Sequence, residues 1–156
     1  MNIPLVDNSR EIITKRLLNF PRSLVYSAWS DPHHLKNWWG PNGFTNTFEL
    51  FDFRPGGRWR FVMHGPDKGN YNNECEFLHI DEPRVIYWKR YSNPLFRVAV
   101  LFEEVSFQST NVTFRMIFDT PEECEKLKKF VINKNEENFD RLESELKLMN
   151  NTKERA

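Results

Sequence analysis

The chain has 156 residues, a common length for one domain with its own core. Its 22 basic and 22 acidic side chains balance, so no overall field attracts nucleic acid or an anionic membrane. Aromatic residues make up 15% of the chain, and this high fraction favours a core that contains a ring-lined pocket.

The two cysteines, Cys75 and Cys124, belong to no metal-binding or disulfide motif, so we expect buried, reduced thiols. Residues 1–10 lack the basic start and apolar run of a secretory signal, and the sequence has no run of about 18 apolar residues. These features predict a cytoplasmic protein with no membrane partner. No motif predicts a cofactor.

A strand and two short helices are predicted in the first quarter of the chain. The strand covers Glu11 to Phe20, where apolar and β-branched residues predominate. A helix is predicted over Pro21 to Trp29, with the proline in its first turn. Residues 30–32 supply a break and a new helix start, so a second helix follows to about Trp39. The turn-forming sequence at 40–43 then ends it.

Six strands are predicted between Thr45 and Asp119, because apolar and polar residues alternate there with a period of two. Clusters rich in Gly, Pro, Asn, Asp and Ser at 55–57, 65–69, 81–83, 92–94 and 108–111 separate them. Strands joined by such short turns are antiparallel neighbours. The region therefore predicts a meander with one buried face.

A long helix is predicted from Pro121 to about Met149, and the polar residues Asn150 to Ala156 are expected to fray. Residues that recur at intervals of three and four form one mainly apolar stripe along this helix, and Phe130 and Phe139 are predicted to broaden it. The stripe consists of Cys124, Leu127, Val131, Asn135, Asn138, Leu142, Leu146 and Met149.

The order of elements resembles the helix-grip arrangement of the START-related superfamily. Local motifs are similar to the family related to activators of the heat-shock protein 90 ATPase. They lie at Phe20–Pro32, Leu35, Trp38–Phe44, Phe51–Arg60, Met63–Asp67 and Asn135–Leu146. The resemblance implies one α+β helix-grip domain over 1–156, with its core at about 9–149. Its curved antiparallel sheet would have about seven strands, two short helices after the first strand and a long C-terminal helix.

The geometry of this family implies a cavity between the sheet, the second short helix and the long helix. Strand alternation and the helix stripe supply the candidate ligand-binding side chains, for which simple filling of the core is the alternative. They are Trp39, Trp59, Phe61, Met63, Tyr71, Cys75, Phe77, Tyr87, Phe114, Met116, Asn135, Asn138 and Phe139.

Polar residues within this set need hydrogen-bond partners. Asn135 and Asn138 interrupt an apolar stripe, where an unpartnered amide would cost about 1–3 kcal/mol. A ligand, water, Tyr71 or strand backbone could supply the partner. The phenols of Tyr71 and Tyr87 could orient a polar end of a ligand.

Charged residues are predicted to lie outside this site. The arginines at 54, 58, 60, 90 and 97 are interpreted as outer-face charges that pair with Glu74, Glu76 or Glu103. The four histidines are scattered over different elements, so no metal site is predicted. Gly56 and Gly57 indicate a hairpin turn and not a phosphate loop.

These features predict a non-catalytic protein that binds or sequesters a small hydrophobic or aromatic molecule, with a role in stress. Two alternatives stay open. One is an interaction module that acts as a cofactor of a chaperone of the heat-shock protein 90 type. The other is an enzyme like the polyketide aromatase/cyclases, although no acid/base pair stands out. Either a monomer or a homodimer is compatible with the sequence.

Overall fold

The computed structural model describes residues 3–155, and the side chains of residues 3–152. A short 3-10 helix, Asn8–Arg10, precedes the first strand. Seven strands follow in the chain: β1 Glu11–Leu18, β2 Thr45–Phe51, β3 Arg58–His64, β4 Asn70–Asp81, β5 Val85–Arg90, β6 Arg97–Ser106 and β7 Ser109–Ile117. They form one antiparallel sheet in the order β1-β7-β6-β5-β4-β3-β2. The predicted α+β helix-grip fold is confirmed.

Two short helices connect the sheet edges, as predicted. They are α1, Arg22–Ser30, and α2, Pro32–Trp38. Asp31 separates them because its backbone is extended, and its carboxylate accepts a hydrogen bond from the backbone N–H of His33 at 3.0 Å. The chain then enters β2 at the opposite edge of the sheet from β1.

The long helix, α3, spans Pro121–Arg155. It is longer than predicted: residues from Asn150 onward continue the helix to Arg155, and Ala156 lies outside the described residues. The buried stripe includes Phe139, Leu142 and Leu146. Phe130 does not broaden it, because this side chain is 65% exposed.

The helices cover one face of the sheet, and the main core lies between them. Arg16 of β1 fixes α3 across that sheet edge, since its guanidinium lies 2.7 to 2.9 Å from the carboxylates of Glu136, Asp140 and Glu143. A smaller apolar cluster lies apart from the main core and contains Tyr87, Ala99, Ile117 and residues of the N-terminal segment. No helix in the described part of the chain is long and apolar enough to span a membrane.

Candidate ligand-binding site

The core between α3 and the sheet is incompletely filled. A cavity of about 190 Å³ remains between α3, strands β3 to β7 and the segment after α2. The exposed side chain of Lys134 forms part of its wall, so the cavity reaches solvent beside α3. The wall consists of Trp39, Gly40, Pro41, Trp59, Phe61, Met63, Asn73, Cys75, Trp88, Arg90, Phe96, Val98, Phe114, Met116, Val131, Lys134, Asn135 and Asn138.

Tryptophan side chains limit the cavity towards α1 and α2. The ring of Trp39 lies 5.3 Å from Trp59 and 6.0 Å from Trp88, measured between ring centroids. Behind it, Trp29 and Trp38 pack edge to face at 4.6 Å. These large rings occupy the volume below the short helices. The remaining space therefore lies below the first half of α3, against strands β3 to β7.

Nine of the thirteen candidate side chains line the cavity, and their contact with a ligand stays a prediction. They are Trp39, Trp59, Phe61, Met63, Cys75, Phe114, Met116, Asn135 and Asn138. Two others are buried beside it. Phe77 stacks on Trp59 with a centroid distance of 6.1 Å, and Phe139 borders a separate void of about 10 Å³.

The prediction that Tyr71 faces the cavity is wrong. Tyr71 is the second residue of β4 and pairs with Met63 of β3, and its side chain is 46% exposed and absent from the cavity wall. Its hydroxyl donates to Asp67 at 3.0 Å, and this carboxylate raises the pKa of Tyr71. The phenol therefore belongs to the turn between β3 and β4.

The prediction for Tyr87 is also wrong, because its side chain points to the other face of the sheet. It is buried there against Ala99 and Ile117. The run Val85–Trp88 is apolar at every position, so alternation alone could not decide which side chains point inward. A bulge between Phe77 and His79 also shifts the register with β4. Trp88 takes the inward place.

The two candidate asparagines on α3, Asn135 and Asn138, find partners within the protein. The Asn135 amide nitrogen lies 3.2 Å from Thr14 Oγ1 and 3.5 Å from Met116 Sδ. The Asn138 carbonyl accepts a hydrogen bond from the backbone N–H of Gly40 at 3.1 Å. A backbone N–H thus serves Asn138, but it belongs to the segment after α2 and not to a strand as predicted. Among the described residues, the Tyr71 hydroxyl forms no hydrogen bond to either asparagine.

Arg141 of α3 holds the segment that forms one rim of the cavity. Its guanidinium donates to five backbone carbonyl oxygens at 2.8 to 3.2 Å, those of Asn37, Trp39, Gly40, Pro41 and Phe44. Desolvation by burial lowers the pKa of Arg141. Arg141 therefore fixes the rim to the long helix, together with Asn138.

Arg90 of β5 was predicted on the outer face, and that prediction is wrong. Its half-buried guanidinium is part of the cavity wall. Nη1 donates to the side-chain carbonyl of Asn73, Nε to the backbone carbonyl of Pro94 at 3.0 Å, and Nη2 to that of Asn93 at 3.1 Å. Desolvation by burial lowers the pKa of Arg90.

Sequence reasoning missed Arg90 and Trp88 for the same reason that it misplaced Tyr87. If Trp88 is taken as inward, the period of two places Arg90 on the same face.

The predictions for the other arginines had mixed outcomes. Arg58 and Arg60 lie 3.9 and 3.5 Å from Glu76 and Glu74, as predicted. Arg54 pairs with Asp52 instead.

Cys75 supplies a neutral sulfur to the cavity wall. Burial raises the pKa of this thiol to about 12, so it is protonated near neutral pH and is a poor nucleophile. Among the described residues, no group of three or more His, Cys, Asp or Glu side chains could hold a metal ion. The wall therefore offers apolar surface and a small number of hydrogen-bond donors.

Solved structures share this architecture along nearly the whole chain. A protein of Nitrosomonas europaea superposes with a TM-score of 0.84 at 21% identity, over 94% of this chain and 99% of that one. An AHSA1 protein of Silicibacter pomeroyi gives 0.72 at 17% identity, with 89% and 99% covered. An AHSA1-like protein of Aeromonas hydrophila gives 0.69 at 16% identity, with 90% and 94% covered. These likenesses establish the fold.

A search of curated proteins found no match to this sequence. The model of one family, described as activator of Hsp90 ATPase homolog 1-like protein, matches residues 19–147. That span includes α1, α2, strands β2 to β7 and most of α3. The chain therefore belongs to the family of activator of Hsp90 ATPase homolog 1-like proteins.

Proposed function

We propose that the protein is a non-catalytic, cytoplasmic binding protein for a small hydrophobic or aromatic molecule held in the cavity below α3. The single observation that carries this proposal is the cavity of about 190 Å³, walled mainly by aromatic and aliphatic side chains. Small-molecule sites in proteins are commonly concave and apolar, with few polar groups. The two cysteines belong to no disulfide motif, which agrees with a reducing compartment.

The volume limits the size of the ligand. An engineered apolar cavity of about 150 Å³ accommodates benzene. This cavity is somewhat larger and reaches solvent, so it suits one aromatic ring system with a short substituent. Lipids and polyketides are larger than this, so a polyketide aromatase/cyclase activity would require the cavity to open further.

The arrangement of titratable groups also favours binding without catalysis. The two tyrosines considered for a catalytic role lie outside the cavity wall, and the thiol of Cys75 stays protonated. General acid/base catalysis needs a group whose pKa lies near the working pH, within hydrogen-bond reach of the substrate. The chaperone-cofactor hypothesis rests on the family name and stays a prediction.

A titration with indole, a neutral ring compound of suitable size, tests the proposal. We expect saturable shifts of the amide resonances of wall residues in ¹H–¹⁵N spectra. Cys75→Leu adds side-chain volume to the wall, so indole affinity should fall at least tenfold. Cys124→Leu is the matched control, because Cys124 is also a buried free thiol but does not line the cavity.

Equal indole affinity in both cysteine variants would contradict binding in this cavity. The absence of saturable shifts with indole and with single-ring aromatic compounds, neutral or charged, would contradict the proposal itself. Folding of each variant is checked by its urea unfolding midpoint.

A further inference from the structure

We propose that the ligand is a small organic anion, an aromatic or aliphatic carboxylate whose charged end is bound by Arg90. This inference rests on the proposed function and specifies the chemical class of its ligand. It starts from the charges of the wall. The lining residues include two cations, Arg90 and Lys134, and no Asp or Glu.

The charge of Arg90 is not neutralised by the protein. Its three hydrogen-bond partners are the carbonyl oxygens of Asn73, Asn93 and Pro94, all uncharged. No ion pair among the described side chains includes Arg90. A partly desolvated cation without a counter-ion is costly, and an anion placed beside it would recover that cost.

The hydrogen-bonding capacity of Arg90 is also incompletely used. A guanidinium has five N–H donors. The three bonds use Nε–H and one N–H on each terminal nitrogen, which leaves one further N–H on both Nη1 and Nη2. Each of these donors can form a charge-assisted hydrogen bond to a carboxylate oxygen, and such a bond is stronger than a neutral one.

The rest of the wall has the character that such a ligand needs. Cys75, paired with Arg90 across β4 and β5, keeps its proton and supplies no negative charge. Phe61, Phe114 and Val98 offer apolar surface for the body of the ligand.

Lys134 contributes a second positive charge at the solvent side of the cavity. It is exposed and forms no ion pair among the described side chains. A solvated ammonium attracts an anion more weakly than a partly desolvated guanidinium does. We therefore assign the main anion contact to Arg90 and a smaller one to Lys134.

A matched pair of probes tests the inference on the unmodified protein. 3-Phenylpropionate and 3-phenylpropionamide have the same size and shape and differ in charge. Isothermal titration at pH 7 should show at least tenfold tighter binding of the carboxylate, the lower end of the difference that charge-assisted hydrogen bonds produce. Equal affinity would overturn the inference and leave the proposed function intact. Failure of both probes and of indole would overturn both.

Two substitutions locate the anion contact. Asn73→Asp places a carboxylate beside the guanidinium, so affinity for 3-phenylpropionate should fall at least tenfold, and by a clearly larger factor than affinity for the amide. Arg90→Gln should have the same selective effect. Arg60→Gln is the control, because Arg60 lies on β3 outside the wall and pairs with Glu74. A carboxylate preference that survives in both variants would overturn the assignment to Arg90.

Discussion

Nη1 of Arg141 lies 2.9 Å from the carbonyl oxygen of Gly40, and this contact joins the middle of α3 to the rim of the cavity. The same guanidinium reaches the carbonyl oxygen of Asn37, near the end of α2, and those of Trp39, Pro41 and Phe44 in the segment between α2 and β2. Asn138 completes the attachment by accepting the N–H of Gly40. Rim and helix therefore form one hydrogen-bonded unit, although about a hundred residues separate them in sequence.

Loss of this attachment should be costly. Arg141→Met keeps much of the apolar stem and removes every donor, so several carbonyl oxygens lose a charged partner. We expect the free energy of unfolding to fall by about 2–3 kcal/mol, the range for hydrogen bonds to charged groups. Urea denaturation measures the change.

The control for Arg141→Met is Arg60→Met, which removes a solvent-exposed pair with Glu74 at 3.5 Å. Exposed pairs contribute about 0–1 kcal/mol. Similar losses in both variants would show that the carbonyl contacts of Arg141 contribute little.

Gly40 itself allows a second prediction. Its φ of +100° is unfavourable for a residue with a side chain, and an added Cβ would lie 2.8 Å from the Cε methyl of Met63. Gly40→Ala should lower the free energy of unfolding by about 1 kcal/mol or more through backbone strain. It should also weaken indole binding, because Met63 must move and Met63 is part of the cavity wall.

Gly56→Ala separates these two effects. Gly56 has a φ of +83°, but an added Cβ there would have no atom within 4 Å. We expect a comparable loss of stability, measured by urea unfolding, with unchanged indole affinity. If Gly56→Ala weakened indole binding as much as Gly40→Ala does, the role of Met63 at the rim would be refuted.

The fold could be predicted from the sequence because its signals are local. Turn clusters separated the six strands of the meander, and prolines marked the starts of the second and third helices. The inward-facing residues of a strand were predictable where every second residue is apolar and the residues between them are charged. On β3, Trp59 and Phe61 alternate with Arg58 and Arg60, and the structure buries the aromatic pair.

The sequence was less informative where both faces of a strand are buried. All four residues of Val85–Trp88 are apolar, since the N-terminal segment covers their outer face, and alternation then selected Tyr87 in place of Trp88. The anion-binding character of the wall was missed for the same reason. Arg90 follows Trp88 by two residues and therefore lies on the same face of β5. Assigning Tyr87 to the inner face thus excluded both Trp88 and Arg90 from the predicted site.

Cys75 supplies a pH-dependent prediction about the cavity wall. Its thiol pKa is raised from 9.0 to about 12 by burial. Between these values the unfolded chain loses the proton while the folded chain keeps it, so the folded state binds more protons and stability falls as pH rises. One such group contributes a slope of up to about 1.4 kcal/mol per pH unit. Below pH 9 it contributes no slope.

The measurement compares the wild type with Cys75→Ala by urea unfolding at pH 7, 9 and 10 in a reducing buffer. Burial also raises the pKa of Tyr26 and of Cys124, and their effects cancel in the difference between the two proteins. Between pH 9 and 10, the wild type should lose about 1 kcal/mol more than Cys75→Ala does. A difference that stays constant over this range would show that the thiol ionises equally well in the folded protein, and that water reaches the cavity wall freely.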